Sequence, residues 1–351
     1  MAKRPASFSK DFSMAKRISC GCLVLLLLAG VGAYGWWHWL NGEIAPMPTA
    51  KPFYVRFDTE TPLLNALETL KQDAVVRNPS AMETYAKLNH KRGPIPIGTY
   101  QVNAGMTADE VIAALHKPID QMVRLPETNW SARTANVLEM HGVAKADEYM
   151  ALVHQPQLFE KDVDFPLPKD SLEGYLYPDT YDLPPLLGAK QTIQKQLKAF
   201  QDKVYDKLGK PQDLQRIITI ASMVQLEVMK DDERPKVAGV IDNRVAKNMR
   251  LQIDATLLYG IQKWRTLTLD DYKNIDSPYN TYTHDGLPPG PICSPSEKSV
   301  EAALHPAKHD YLFYVAQPNG YHLFASTLAG HDANIAKARQ ERKALALQVK
   351  P

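Results

Sequence analysis

Glu227 is an acid in apolar surroundings, because its neighbours at positions 226, 228 and 229 are Leu, Val and Met. An ionised carboxylate in such surroundings is costly, or its pKa shifts. Loss of water and a place in the last, negative turn of a helix would both raise the pKa of this carboxyl. A carboxylic acid that stays protonated near neutral pH suits general-acid cleavage of a glycosidic bond. The alternative is that Glu227 points to solvent or pairs with Lys230 or Lys236.

The element that must position Glu227 is an apolar helix that begins after Pro211, with Asp213 as its expected cap. Its pattern leaves little polar surface and predicts burial through Ile217, Ile218, Ile220, Ala221, Met223 and Val224. A second helix is predicted over 234–249, with Asn243 and Arg244 near the edge of its apolar face. Gln252 and Asp254 follow in an extended piece.

A second group of candidate residues lies at 172–183, where tyrosines alternate with acids. Aromatic rings stack on sugar rings, and carboxylates and hydroxyls bind sugar hydroxyls. The stretch therefore suits a sugar-binding wall built from Glu173, Tyr175, Tyr177, Asp179, Thr180 and Tyr181. The alternative is a surface turn at Pro178 with packed tyrosines. If Glu227 has a carboxylate partner, it would be Asp254, Glu173 or Asp179, and their separation is not readable from sequence.

The rest of this part of the chain predicts a long irregular loop at 277–295, rich in Pro, Gly, Tyr, Asn and Thr. Long loops in compact domains are often functional. Strands at 311–316 and 321–325 predict a β-hairpin that turns at Pro318-Asn319-Gly320, and a charged helix is predicted over 332–349.

Several chemistries find no support in the sequence. It has no HExxH, paired CxxC, GxSxG or glycine-rich phosphate motif, so no cofactor is expected. His305 and His309 are four apart, but Pro306 argues against a zinc site, and no metal is expected. The formal net charge of +2 and the lack of a basic, aromatic patch argue against a nucleic-acid partner. Cys293 is the one cysteine after the first 22 residues, so no disulfide is expected there.

The N-terminal region predicts a membrane anchor. Residues 1–17 carry five basic side chains and one acid, and residues 18–40 carry no formal charge and end near three tryptophans. Such a span is long enough to cross a bilayer, and the basic flank places the N-terminus in the cytoplasm. A cleaved signal peptide is the alternative, although its apolar core is usually shorter. The expected location is the bacterial inner membrane, with the remaining chain outside the cytoplasm.

The expected fold class is α+β. After a linker at 41–52, residues 53–126 predict a small α+β module whose helix at 106–116 carries a capping box, Thr107 with Glu110. Residues 127–351 predict a larger α+β domain with a helical centre that holds Glu227.

Five blocks of this sequence resemble the MltG (YceG-like) family of endolytic murein transglycosylases. They are LEGYLYPDTY at 172–181, ASMVQLEV at 221–228, VAGVIDNRVAKNMRLQIDATLLYG at 237–260, YNTYTHDGLPPGPICSP at 279–295 and SVEAALHPAKHDYLFYV at 299–315. The segment GTYQVNAGMTADEVIAAL at 98–115 is similar to the family's LysM-like region. The resemblance implies a LysM-like module and a lysozyme-like centre in the larger domain.

The resemblance also implies the chemistry. The family cuts peptidoglycan glycan strands between N-acetylmuramic acid and N-acetylglucosamine and leaves a 1,6-anhydro end. It implies Glu227 as the single acid and base, and cell-wall synthases as further partners. Residues that match positions lining or shaping the sugar cleft are Glu173, Tyr177, Asp179, Thr180, Tyr181, Gln225, Asn243, Arg244, Gln252, Asp254, Tyr279, Asn280, Thr281 and Tyr282.

One position departs from the family motif, which commonly has two glutamates where this chain has Gln225 and Glu227. An amide cannot donate and retrieve a proton in this way, so the catalytic role falls to Glu227. Two other functions stay open: a membrane-anchored protein that binds peptidoglycan without cleaving it, and a glycoside hydrolase that uses water.

Overall fold

The computed structural model describes residues 11–46, 53–91, 93–103 and 105–348. Contacts divide the chain into two units, Met1–Ile119 and Asp120–Pro351. Helices and short antiparallel strand pairs occur in both, so the predicted mixed α+β class is confirmed. Much of the predicted tail at 1–17 and of the linker at 41–52 lies outside the described residues.

The smaller unit begins with α1 (Asp11–Glu43), a helix that covers the predicted anchor at 18–40. Within the part of the chain that the structure describes, no helix combines the length and the apolar character that crossing a membrane requires. The predicted anchor is therefore not confirmed. The end of α1 packs into this unit through Leu40, which is buried, and Asn78 donates to Glu43 at 3.0 Å.

A two-stranded sheet and three helices form the rest of the smaller unit. The strands β1 (Phe53–Phe57) and β2 (Gly98–Val102) pair antiparallel, with Val55 opposite Tyr100. The helices are α2 (Leu63–Gln72), α3 (Pro79–Leu88) and α4 (Ala108–Ala114). Thr107 and Glu110 form the predicted capping box at the start of α4. These elements enclose a common core that includes Leu67, Tyr100 and Val111.

The larger unit opens with β3 (Met122–Arg124), which pairs antiparallel with β4 (Thr180–Asp182). The strand β3 belongs to the larger unit because that unit begins at Asp120. Between these strands lie α5 (Ser131–Met140) and α6 (Ala146–Val153), and α7 (Ala189–Phe200) follows β4 and continues into a π-helical turn. At Gly174, φ is +85° and an added Cβ would lie 2.8 Å from the side chain of Ile218. Only glycine therefore allows this segment to lie so close to the helix that carries Ile218.

The predicted apolar helix forms as α8 (Leu214–Glu227), and its apolar residues are buried as expected. The expected cap is wrong in one respect: Asp213 is the N-cap residue, but its side chain makes no capping hydrogen bond. After α8, a short 3-10 turn at Asp231–Glu233 leads into α9 (Arg234–Ala246).

The elements that follow α9 are α10 (Asp254–Gly260), α11 (Asp271–Asn274), α12 (Glu297–Leu304), β5 (Phe313–Ala316), β6 (His322–Ala325) and α13 (Leu328–Gln348). Of these, α10 and α12 pack on α8, and α13 packs on β5 and β6. The segment 277–295 has no helix or strand, as predicted, and β5 and β6 form the predicted hairpin. Glu227 therefore ends a buried helix that faces irregular segments, and these can leave space beside it.

Candidate active site

Glu227 lines a cavity of about 430 Å³ in the larger unit. The walls come from α8, α9, the start of α10, the 277–295 loop, both strands of the hairpin and α13. The lining residues are Glu227, Arg244, Leu251, Gln252, Asp254, Tyr282, Tyr314, Val315, Ala316, His322, His331 and Ile335. We call this space the Glu227 cavity. It brings together five of the predicted residues: Glu227, Arg244, Gln252, Asp254 and Tyr282.

The surroundings of Glu227 favour its neutral form. Burial first, and then the negative charge of Asp254, raise the pKa of Glu227 to about 7. A hydrogen bond from the Tyr314 hydroxyl to Glu227 Oε2, at 3.3 Å, acts in the opposite direction. A carboxyl with this pKa holds a proton in about half of the molecules at pH 7, so it can give and take one there.

Asp254 is the second carboxylate of the Glu227 cavity. The Tyr282 hydroxyl donates to Asp254 Oδ1 at 2.6 Å, and the Tyr272 hydroxyl lies 3.5 Å from Oδ2. Burial and Asp254 both raise the pKa of Tyr282, so this hydroxyl keeps its proton. The two tyrosines hold an exposed, acceptor-rich carboxylate at the cavity edge, suited to sugar hydroxyls or a developing positive charge.

Arg244 ties three cavity walls together. From α9, its Nε donates to the carbonyl of Leu312 at 2.6 Å and its Nη1 to the carbonyl of Leu251 at 2.6 Å. The guanidinium also lies over the Phe313 ring, 5.3 Å from the centroid. Arg244 is therefore chiefly a clamp that joins α9 to the hairpin and to the segment before α10.

Asn280 and Thr281 are buried, and they hold the backbone of residues that line the Glu227 cavity. The Thr281 hydroxyl accepts from the backbone N–H of Ile253 at 3.0 Å, and its carbonyl accepts from the N–H of Gln252 at 3.1 Å. Asn280 Oδ1 accepts from the N–H of Tyr282 at 3.0 Å. These bonds fix the backbone on both sides of Asp254 and Tyr282.

Gln225 and Asn243 lie outside the lining of the Glu227 cavity. Gln225 Oε1 accepts from Ser296 Oγ at 2.7 Å, Ser299 Oγ at 2.8 Å and the N–H of Ser296 at 3.0 Å, so it anchors the start of α12. Asn243 donates to the carbonyls of His309 at 2.8 Å and Tyr311 at 3.0 Å.

Glu173 and Tyr279 line a second cavity of about 440 Å³. Gln215, near the start of α8, also lines it, whereas Glu227 ends α8. Gln215 and Glu227 are twelve residues apart on this helix, so about 18 Å separates them. Glu173 is buried and accepts from the N–H of Ser131 at 3.0 Å, at the start of α5, and burial raises its pKa to about 7.

The remaining predicted residues gather around Lys203. Asp179 forms an ion pair with Lys203, whose ammonium lies 5.4 Å from the centroid of the Tyr177 ring. The Tyr181 hydroxyl donates to the carbonyl of Tyr177 at 2.7 Å, and Thr180 begins β4. Asp179 and Tyr181 line a surface depression distinct from the Glu227 cavity.

Tyr314, His322 and His331 line the Glu227 cavity but are absent from the sequence-based set. The hairpin that carries Tyr314 and His322 was predicted, and alternation along its strands would have put these two on one face. The sequence did not indicate that this face covers Glu227.

The chain is similar to known proteins over most of its length. It matches the model of the YceG-like family over residues 55–337. It is 32% identical to the endolytic murein transglycosylase of Bacillus subtilis (strain 168), over 75% of this chain and 78% of that protein. The endolytic murein transglycosylase of Streptococcus pneumoniae serotype 2 is 28% identical, over 93% of this chain and 66% of its own length. A crystal structure of a putative YceG-like protein from Listeria monocytogenes has a TM-score of 0.52 and 28% identity, covering 81% of this chain and 99% of that one.

Proposed function

Because the chain belongs to the YceG-like family, we propose that it is an endolytic murein transglycosylase in which Glu227 is the general acid and the general base. The observation that carries the catalytic assignment is the position of Glu227: a carboxyl with a pKa of about 7, in a cavity beside Asp254 and Tyr314. The substrate class is the glycan strand of peptidoglycan, as the names of the relatives suggest.

The proposed reaction needs one titrating residue. Protonated Glu227 gives its proton to the glycosidic oxygen while the bond from that oxygen to C1 of N-acetylmuramic acid breaks. The C6 hydroxyl of the same sugar then attacks C1, and its proton passes to the Glu227 carboxylate. The enzyme is regenerated and a 1,6-anhydro ring is formed. Since the nucleophile is part of the substrate, proximity replaces the activation of a water.

The other lining residues receive roles from their contacts. Asp254, at the cavity edge, faces the positive charge that develops at C1. Gln252, which is exposed, and Tyr282 offer amide and hydroxyl groups for sugar hydroxyls. Arg244, Asn280 and Thr281 hold the cavity in shape. Glu173 and Tyr279, with the group around Lys203, are proposed to shape or extend the glycan site beyond the bond that is cut.

Product analysis tests this function. Purified protein is incubated with isolated sacculi, and the products are separated by mass spectrometry. A transglycosylase releases muropeptides lighter by one water than those of a hydrolase. We expect anhydro ends from the parent, none from Glu227→Gln, and fewer from Gln225→Ala, which loosens α12 but keeps the acid. Anhydro ends from Glu227→Gln at the parental rate would refute the assignment.

A water-using glycoside hydrolase is the second candidate, and Asp254 favours it. A hydrolase commonly uses two carboxylates at one site, and Asp254 lines the same cavity as Glu227. The same digestion separates the candidates, because a hydrolase yields reducing-end sugars. A protein that binds strands without cleaving them would give neither product and would retain binding in Glu227→Gln.

We propose that residues 18–40 anchor the enzyme in the inner membrane with the N-terminus in the cytoplasm. The exposed leucines of α1, Leu25–Leu28, are between 62% and 72% accessible in the isolated chain and would contact lipid. The smaller unit would then act as a LysM-like module, and cell-wall synthases are proposed partners on the family resemblance alone. Protease treatment of spheroplasts tests the orientation: residues after 41 should be digested, and an epitope tag before residue 11 should be protected.

A further inference from the structure

One wall of the Glu227 cavity is the inner face of the hairpin. The register of β5 and β6 places Ala316 opposite His322 and Tyr314 opposite Phe324. Residues two apart on a strand share a face, so Tyr314, Ala316 and His322 lie on the same face. All three line the cavity. The register of the hairpin therefore decides which of its side chains face Glu227.

Glu233 binds the hairpin through His322 of β6. Its two carboxylate oxygens accept from the backbone N–H of His322 at 3.0 and 3.1 Å, and Oε2 also accepts from Nδ1 at 2.9 Å. Both side chains are almost fully buried, at 5% and 4% exposure. Within the described residues, His322 is the side-chain hydrogen-bond partner found for Glu233. A buried carboxylate requires such a partner, so the contact holds the hairpin to the segment that follows Glu227.

His322 in turn contacts the residue that touches the acid. Its ring meets the Tyr314 ring edge-on, with centroids 5.4 Å apart and an interplanar angle of 87°. The Tyr314 hydroxyl reaches Glu227 Oε2 at 3.3 Å. A continuous series of contacts thus runs from Glu233 through His322 and Tyr314 to Glu227. Its two ends, Glu227 and Glu233, lie in the same seven-residue segment of the chain.

We propose that Glu233 and His322 are positioning residues of the reaction, which hold the Tyr314 ring so that its hydroxyl stays on the Glu227 carboxyl. When Glu227 gives up its proton, negative charge develops on this carboxyl, and the bond from Tyr314 strengthens at that moment. The inference rests on the proposed function, since it concerns the same acid.

Other charged and titratable groups also face Glu227 and enter the pH profile. They are Asp254 on α10, Tyr282 on the 277–295 loop, Arg244 on α9 and His331 on α13, with Tyr314 and His322 on the hairpin. Burial and the charge of Arg244 lower the pKa of His331. The variants at His322 and Tyr314 leave Asp254, Tyr282, Arg244 and His331 in place, so comparing the two variants isolates the effect of the hairpin contacts.

The test uses the full-length protein in detergent, with solubilised glycan strands as substrate. His322→Asn keeps a donor for Glu233 but removes the ring that faces Tyr314, so it should fold. We expect kcat to fall about tenfold in Tyr314→Phe, the loss of one transition-state hydrogen bond, and by no more than that in His322→Asn. KM should stay within about twofold, since neither change removes a proposed sugar contact.

The pH of the descending limb of the activity profile separates a positioning role from a general loss of structure, because loss of structure lowers activity without shifting this limb. An enzyme that depends on a general acid loses activity as pH rises through the pKa of that acid. The hydrogen bond from Tyr314 lowers the pKa of Glu227. In Tyr314→Phe and in His322→Asn the descending limb should therefore move to higher pH. The double variant should match Tyr314→Phe, because the two residues act in series.

His141→Asn is the matched control: this exposed histidine ends α5, with its Nδ1 2.9 Å from the carbonyl of Val137. This substitution should leave kcat and the descending limb of the pH profile unchanged. An unmoved limb in His322→Asn, or losses that multiply in the double variant, would overturn the positioning role. Failure of the proposed function is a separate result, because the parent would then release no anhydro ends, or Glu227→Gln would still release them.

Discussion

Replacing Glu227, the proposed catalytic acid, is expected to stabilise the protein at neutral and higher pH. The pKa of Glu227 is raised from an ordinary 4.5 to about 7, chiefly by burial. The folded state therefore opposes ionisation of this side chain, whereas the unfolded state does not. Below pH 4.5 both states are protonated and Glu227 carries no penalty. As pH rises from 4.5 through 7, stability is lost, and above 7 the penalty is complete.

The size of this penalty follows from the shift. Between 4.5 and about 7 lie about 2.5 pKa units, and each corresponds to about 1.4 kcal/mol, so the full penalty is about 3 to 4 kcal/mol. It is an upper bound, because Glu227 retains some contact with solvent in the cavity. Glutamine has nearly the same shape and no charge. Glu227→Gln should thus gain up to about 3 kcal/mol at pH 8 and close to nothing at pH 4.5.

Urea unfolding of the parent and of Glu227→Gln at pH 4.5, 6 and 8 measures this difference. Tryptophan fluorescence reports on the larger unit through Trp130 and Trp264. Glu173, whose pKa is also raised to about 7, is present in both proteins and cancels from the difference. Glu139→Gln, at an exposed glutamate of α5, is the control and should show no gain that grows with pH. A gain of equal size at all three pH values, or a loss at pH 8, would refute the assignment of Glu227 as a group held neutral by the fold.

Three further predictions follow from the contacts around the cavity. Asp254→Asn removes the negative charge that raises the pKa of Glu227, so the descending limb of kcat/KM against pH should move to lower pH; a limb that moves to higher pH would contradict this. Gln225→Glu places a carboxylate among three donors and 3.5 Å from Arg234 Nη1, so anhydro release and the melting temperature should stay at or above the parental level. Arg244→Lys loses the fork that binds the carbonyls of Leu312 and Leu251, and urea unfolding should show a loss of about 2 to 3 kcal/mol.

The helix that carries Glu227 could be predicted from the sequence because its signal is local. A run of apolar residues after a helix start fixes burial whatever the partners are, and α8 begins at Leu214, directly after the predicted cap position. The same holds for the hairpin, where two short strand-like segments and a Pro-Asn-Gly turn predict the pair of strands that forms. These patterns depend on neighbouring residues only, so one sequence is sufficient to find them.

The membership of the cavity could not be predicted in this way. Glu173 and Asp254 are both acids that the sequence offers as carboxylate partners of Glu227, yet Asp254 lines the Glu227 cavity and Glu173 lies near the other end of α8. The difference arises from the partners: Tyr282, 28 residues away, holds Asp254, whereas the N–H of Ser131 at the start of α5 holds Glu173. Such contacts join distant segments and leave no periodic signal.

The pair Gln225 and Glu227 shows how one helix end serves two purposes. Residues two apart on an α-helix point about 200° away from each other, so the two side chains cannot share a site. Gln225 meets two serines and an N–H at the start of α12, where three donors require an acceptor but no titrating group. Glu227 meets the cavity, where burial and the charge of Asp254 favour its protonated form and, among the residues that the structure describes, the Tyr314 hydroxyl is its one hydrogen-bond donor. An amide can fill the first position without loss of the proposed acid chemistry, and it cannot fill the second.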